Sequence, residues 1–152
     1  MMTGILLLSF LLTGCGSPEP QTGKKMSMYY INTAETKVEV HEQYLNTKTL
    51  DEQLDETMRY LSTTPEKLEY KAPLDMGFRV LDYEVEDGKL LINVDKAYSE
   101  LSPTTEVLVR AAIVRTLTQL PNVKYVGITV EDSQLYDNAG ELVGWMNTDQ
   151  FI

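Results

Sequence analysis

Between residues 102 and 132 the apolar positions change period, and that change predicts the centre of the fold. Val107, Leu108, Ala111, Val114, Leu117 and Leu120 recur at helical spacing, with Val109, Ala112 and Ile113 filling the flanks. Only Arg110, Arg115, Thr116, Thr118 and Gln119 interrupt this apolar surface. A helix that is apolar around most of its circumference must be covered on more than one side. Ser102 suits the N-cap, and Pro103 suits the first helical position, where a missing N–H costs nothing. Pro121-Asn122 stops the helix, and the β-branched run Val123, Val126, Ile128 and Val130 predicts a strand. The pair specifies packing; nothing in it points to chemistry.

Upstream, 26–32 and 37–45 predict two strands around a turn at 33–36. In the second strand Val38 and Val40 alternate with Glu39 and His41, which assigns the valines to one face and His41 to the wet one. A first helix is expected over 49–62, opened by a Thr49/Glu52 capping box and carrying one apolar stripe, Leu50, Leu54, Met58 and Leu61. The stretch 63–77, broken by Pro65, Pro73 and Gly77, reads as irregular. Leu81, Tyr83 and Val85, then Asp87-Gly88, then Leu90, Ile92 and Val94 predict a hairpin with a type I′ turn. A last hairpin is expected over 134–145, turning at 137–140, with Trp145 either packing the tail onto the sheet, the favoured role, or serving as a surface contact. The order β-β-α-β-β-α-β-β argues for a single small α+β domain, a mixed or antiparallel sheet with two helices packed on it.

Composition narrows the chemistry. The chain of 152 residues carries 13 basic and 23 acidic side chains, a net charge of −10 that repels nucleic acid and anionic headgroups. One cysteine, Cys15, allows no intramolecular disulfide, and one histidine, His41, excludes most histidine-based zinc sites and weakens any Ser-His-Asp or Cys-His proposal. Asp82, Glu84, Glu86 and Asp87 lack the spacing of a calcium loop, and alternation leaves Asp82 and Glu84 on a wet face, so no metal or cofactor is expected.

The N-terminal segment MMTGILLLSFLL is uncharged and apolar, shorter than the ~20 residues of a membrane-spanning helix but suited to a signal-peptide core. It runs into Leu12-Thr13-Gly14-Cys15, which resembles the bacterial lipobox. That resemblance implies a signal peptide over 1–14, lipidation at Cys15 by a diacylglycerol anchor with two acyl chains, a flexible linker to residue 25 and a domain over 26–152. Two chains hold a protein on a membrane stably, whereas one is marginal. No Lys or Arg precedes the apolar core, so either the chain starts upstream of Met1 or the terminal amine supplies the charge.

The run RTLTQLPNVKYVGITVED resembles the signature of the GerMN domain, the sporulation and spore-germination module. The matching positions are Thr116-Leu117-Thr118, Pro121, Val123, Val126, Ile128 and Val130; Arg115 stands where the family has Asn, and Asp132-Ser133 where it has a glycine. LLINVDKAYSEL, Asp87-Gly88, Pro73 and the tail GELVGWMNTDQFI are similar to further family features. The resemblance implies a lipid-anchored, non-enzymatic binding or scaffold module on the extracytoplasmic face of the cell membrane, in contact with other envelope or sporulation proteins. It brings no catalytic residues. A wet sheet face or an exposed strand edge is the expected contact surface, with Tyr29, Tyr44, Tyr70, Tyr98, Tyr125 and Tyr136 as candidate contact rings. Two other readings stand beside it. One is a small-ligand sensor for a germinant or muropeptide, with a pocket between the sheet and 63–77. The other is a cell-wall hydrolase using Asp75 and Asp82 as acid and base, although no spacing supports that pair.

Overall fold

The computed structural model describes residues 22–66 and 69–152, so the predicted signal segment and Cys15 lie outside the described residues. Strands β1 (Lys24–Asn32) and β2 (Val38–Leu45) precede helix α1 (Leu50–Leu61). A two-residue strand β3 (Tyr70–Lys71), the hairpin β4 (Val80–Glu86) and β5 (Lys89–Val94), and a 3-10 turn over Lys96–Glu100 follow. Helix α2 (Pro103–Leu117), β6 (Tyr125–Val130), β7 (Ser133–Gln134) and a 3-10 turn over Thr148–Phe151 complete the order. The expected α+β domain with two helices is present, and its strands divide between two sheets, β2-β1-β3 and β4-β5-β6-β7.

Helix α2 sits where its sequence demands. It touches β1 and β2 of one sheet, β6 of the other, and α1. Its buried positions, including Val109, Ala112, Ile113, Val114 and Leu117, therefore run round more than one side. Ser102 Oγ caps it by accepting from the Thr105 amide at 3.2 Å. Because α2 crosses from β5 to β6, those strands pair in parallel, the pairing such a connection permits. Leu90, Ile92 and Val94 thereby align with Val126, Ile128 and Val130 on the core face. Both turns of this sheet use paired positive φ, Asp87-Gly88 at 50° and 79° and Glu131-Asp132 at 47° and 64°, as type I′ hairpins require.

The polar interruptions of α2 have a structural task. Thr116 Oγ1 accepts from the Tyr29 amide at 3.0 Å. Gln119 Oε1 accepts from the Ser27 amide at 3.0 Å, while its Nε2 donates to the Ser27 carbonyl at 2.7 Å. Thr116 of α2 and Gln119 just past its end thus satisfy the edge of β1 that β2 leaves unpaired, as a neighbouring strand would. Beyond them β3 takes over, pairing with Ile31 and Asn32.

The face assignment of β2 needs correction. Val40 is 53% exposed, whereas His41 lies opposite Met28, which is fully buried. Alternation defines two faces but not which one is covered; here the buried Met26, Met28 and Tyr30 of β1 set the inner face. The α1 stripe also loses Leu50 to solvent, while Leu54, Met58 and Leu61 are buried. In the irregular stretch, Ala72, Pro73 and Leu74 are buried and the Leu74 amide donates to the Leu61 carbonyl at 2.9 Å. These residues pack into the core.

Candidate functional site

The register of the four-stranded sheet places Asp82, Glu84 and Glu86 of β4, Lys89, Leu91 and Asn93 of β5, and Tyr125, Gly127 and Thr129 of β6 on the face turned away from the core. The C-terminal tail returns along the edge of β6 opposite β5. Met146 exchanges both backbone hydrogen bonds with Val126, at 2.9 and 2.8 Å, and its side chain is buried. That bridge seats the adjacent Trp145 over Gly127. A Cβ at position 127 would lie 2.8 Å from the indole, so glycine is what lets the ring rest on the sheet.

Trp145 nevertheless keeps 43% of its surface in solvent. Lys89 Nζ stands 5.4 Å from the ring centroid, within cation–π range. On one side of the ring is a cleft of about 210 Å³ lined mainly by Leu91, Gly127, Thr129, Leu135 and Leu142. On the other is a larger basin of about 370 Å³ bordered by Glu84, Glu86, Asp87 and Lys89. Among the described residues, no cation lies within ion-pair distance of those three carboxylates.

A buried asparagine stiffens the same face. Asn93 Nδ2 donates to Asp82 at 3.1 Å and Asp132 at 2.9 Å. Its Oδ1 accepts from the Thr129 hydroxyl at 3.2 Å and the Asp132 amide at 2.9 Å. Every polar position of the amide is used, so Asn93 ties β4, β5, β6 and the 131–132 turn together.

The strongly perturbed groups lie away from this face and serve packing. Burial, then the charge and hydrogen bond of Glu106, push the Tyr98 phenol well above its usual range. Glu106 in turn meets Arg110, whose Nη2 donates at 2.9 Å, while its Nε lies 2.7 Å from Oε1 but off the N–H axis, a Coulombic contact only. Burial and a 2.8 Å hydrogen bond to Asp55 push Tyr83 up to about 12. At Glu56 burial acts upward, but hydrogen bonds from the Thr47 hydroxyl and the Asn46 and Thr47 amides outweigh it and hold the carboxyl below its usual range.

The match to known proteins is to a family of module, not to an activity. The family model described as "Germane: Sporulation and spore germination" matches residues 27–136. The chain belongs to this Germane family. Among solved structures it is similar to the first GerMN domain of the sporulation protein GerM from Bacillus subtilis, at 14% identity and a TM-score of 0.60, covering 80% of this chain and 94% of that one. It is also similar to the tandem GerMN domains of GerM, at 18% identity and a TM-score of 0.57, covering 89% of this chain and 49% of that one. A Clostridium perfringens protein described as a candidate lipoprotein shares 17% identity and a TM-score of 0.55, with 84% of this chain and 89% of that chain covered. No curated protein matches.

The tail that carries Leu142, Trp145 and Met146 lies beyond the matched Germane span. Of the tyrosines singled out in the sequence, Tyr98 is buried, Tyr29 lies under the Arg115 guanidinium and Tyr70 stacks on Tyr30. Tyr44 is half-buried, and only Tyr125 and Tyr136 count as exposed, at 40% and 56%. Asp75 accepts from the Thr64 hydroxyl at 2.9 Å and Asp82 holds Asn93, so the two carboxylates have separate partners. Sequence reasoning passed over Leu91, Gly127 and Leu142. Gly127, a glycine inside a β-branched run, was the available signal of a close approach.

Proposed function

We propose that this protein is a docking module of a sporulation or germination assembly, lipid-anchored through Cys15 on the extracytoplasmic face, that works by binding a partner protein and not by catalysis. Membership of the Germane family supports the setting. The Leu12-Thr13-Gly14-Cys15 pattern supports the anchor. The single observation that carries the docking role is Trp145, held by the Val126–Met146 bridge yet 43% exposed between two hollows. Tryptophan is among the side chains enriched at binding hot spots.

The test is a crosslinked pull-down of tagged full-length protein from the membrane fraction of vegetative and sporulating cells. Envelope proteins captured by the parent chain and lost with Trp145→Ala are the expected result. Capture that is indifferent to Trp145→Ala sinks the docking face. Retention of Cys15→Ser protein in the membrane fraction sinks the anchor.

A further inference from the structure

Trp145 separates two unlike surfaces. The cleft on one side offers the apolar flanks of Leu91, Leu135 and Leu142 in about 210 Å³. That is below the ~300–1,000 Å³ of small-molecule sites, and it suits a side chain. The basin on the other side presents Glu84, Glu86 and Asp87 without close cationic partners among the described residues. Lys89, which also borders the basin, already stands 5.4 Å from the ring centroid, so an incoming cation is met by the carboxylates and not by the ring face.

We propose, resting on the docking role above, that this face takes an extended basic segment of a partner polypeptide. One apolar side chain of the segment enters the cleft, and a lysine or arginine two residues away crosses Trp145 onto Glu84, Glu86 and Asp87. Side chains two apart on an extended chain point the same way at about 6.6 Å, wide enough to straddle an indole. The whole-chain charge of −10 acts in the same direction. It draws a basic segment in, and it opposes nucleic acid, an anionic membrane surface or a second copy of this chain on the same acidic rim.

Trp145 is the only tryptophan, so its emission reports on the face directly. The experiment titrates the full chain, in zwitterionic detergent, with a short fluorescein-labelled peptide carrying one leucine and two flanking lysines two residues away in a Ser/Thr background. Twins carry Glu for each Lys, or Ser for the Leu. A saturable shift of Trp145 emission with the Lys/Leu peptide alone is expected, weakened by raising salt. Glu84→Gln with Glu86→Gln, both at exposed positions, should reduce affinity about three- to tenfold by peptide anisotropy. Equal binding of the Glu twin, no emission change up to millimolar peptide, or indifference to the double substitution overturns the proposal. So does an emission change produced by an uncharged glycan and not by the peptide. If the pull-down depends on Trp145 while the Lys/Leu peptide fails, the docking role stands and the basic segment falls. If the pull-down does not depend on Trp145, the docking role itself falls.

Discussion

At position 127 the difference between a hydrogen and a methyl decides whether the outer sheet face has a tryptophan wall. A Cβ there would sit 2.8 Å from the ring and 3.3 Å from Leu91. Gly127→Ala is therefore expected to lift Trp145 off the sheet, shifting its emission to the red at a cost of about 1–3 kcal/mol. Unchanged emission would show that the ring does not depend on this contact. A second single-residue prediction concerns acid. Glu56 has a 5% exposed side chain, and its folded carboxyl titrates below its ordinary value of 4.5. The unfolded chain therefore takes up this proton first as pH falls. The contribution of Glu56 is complete above pH 4.5 and disappears as pH drops through the lower folded value. Glu56→Gln should cost about 1.5–3 kcal/mol in urea denaturation at pH 7, and that difference should shrink in acid below the glutamate range. Neither residue stood out fully in the sequence. Gly127 was visible as a break in a strand, but what approaches it depends on a tail eighteen positions on. Glu56 looked like any exposed helix glutamate, because the loop amides that it binds come into range only once α1 packs.

At the scale of the element, the edge of β1 is closed by a helix. Thr116→Val keeps the shape of a fully buried side chain but leaves the Tyr29 amide without its acceptor. A loss of about 1–3 kcal/mol and faster exchange of the Tyr29 amide proton are expected. Slow exchange in the variant would mean that another acceptor serves this edge. The elements themselves were largely legible, because their signals are local. Ser102 caps α2, Thr49 and Glu52 form the capping box of α1, and Asp87-Gly88 turns the β4–β5 hairpin. What local signals could not give was pairing. The parallel β5–β6 register, the split into two sheets and the inward side of β2 all depend on contacts between distant segments. On β2 only Leu45 is buried, Val38 packs partly against the core and Val40 is exposed, so the two valines did not fix which face the core covers.

For the whole molecule, the anchor proposed at Cys15 and the net charge of −10 bear on how it meets its surroundings. If the proposed anchor holds, Cys15→Ser removes its attachment point and should move the protein from the membrane to the soluble fraction on cell fractionation. An unchanged distribution would place the membrane contact elsewhere. The closing of β1 by Gln119 also reaches beyond stability, to the order in which the chain can be assembled. Ser27 and Gln119 are 92 positions apart, yet they share two hydrogen bonds. A chain is made from its N-terminus, so β1 emerges early and waits for most of the domain before its edge is complete. The β1–β2 hairpin can form in the meantime, but its other edge stays open as a template for stray strands. Closure of that edge thus waits on α2 and Gln119, and the interval before they arrive is when the nascent hairpin is most exposed to mispairing.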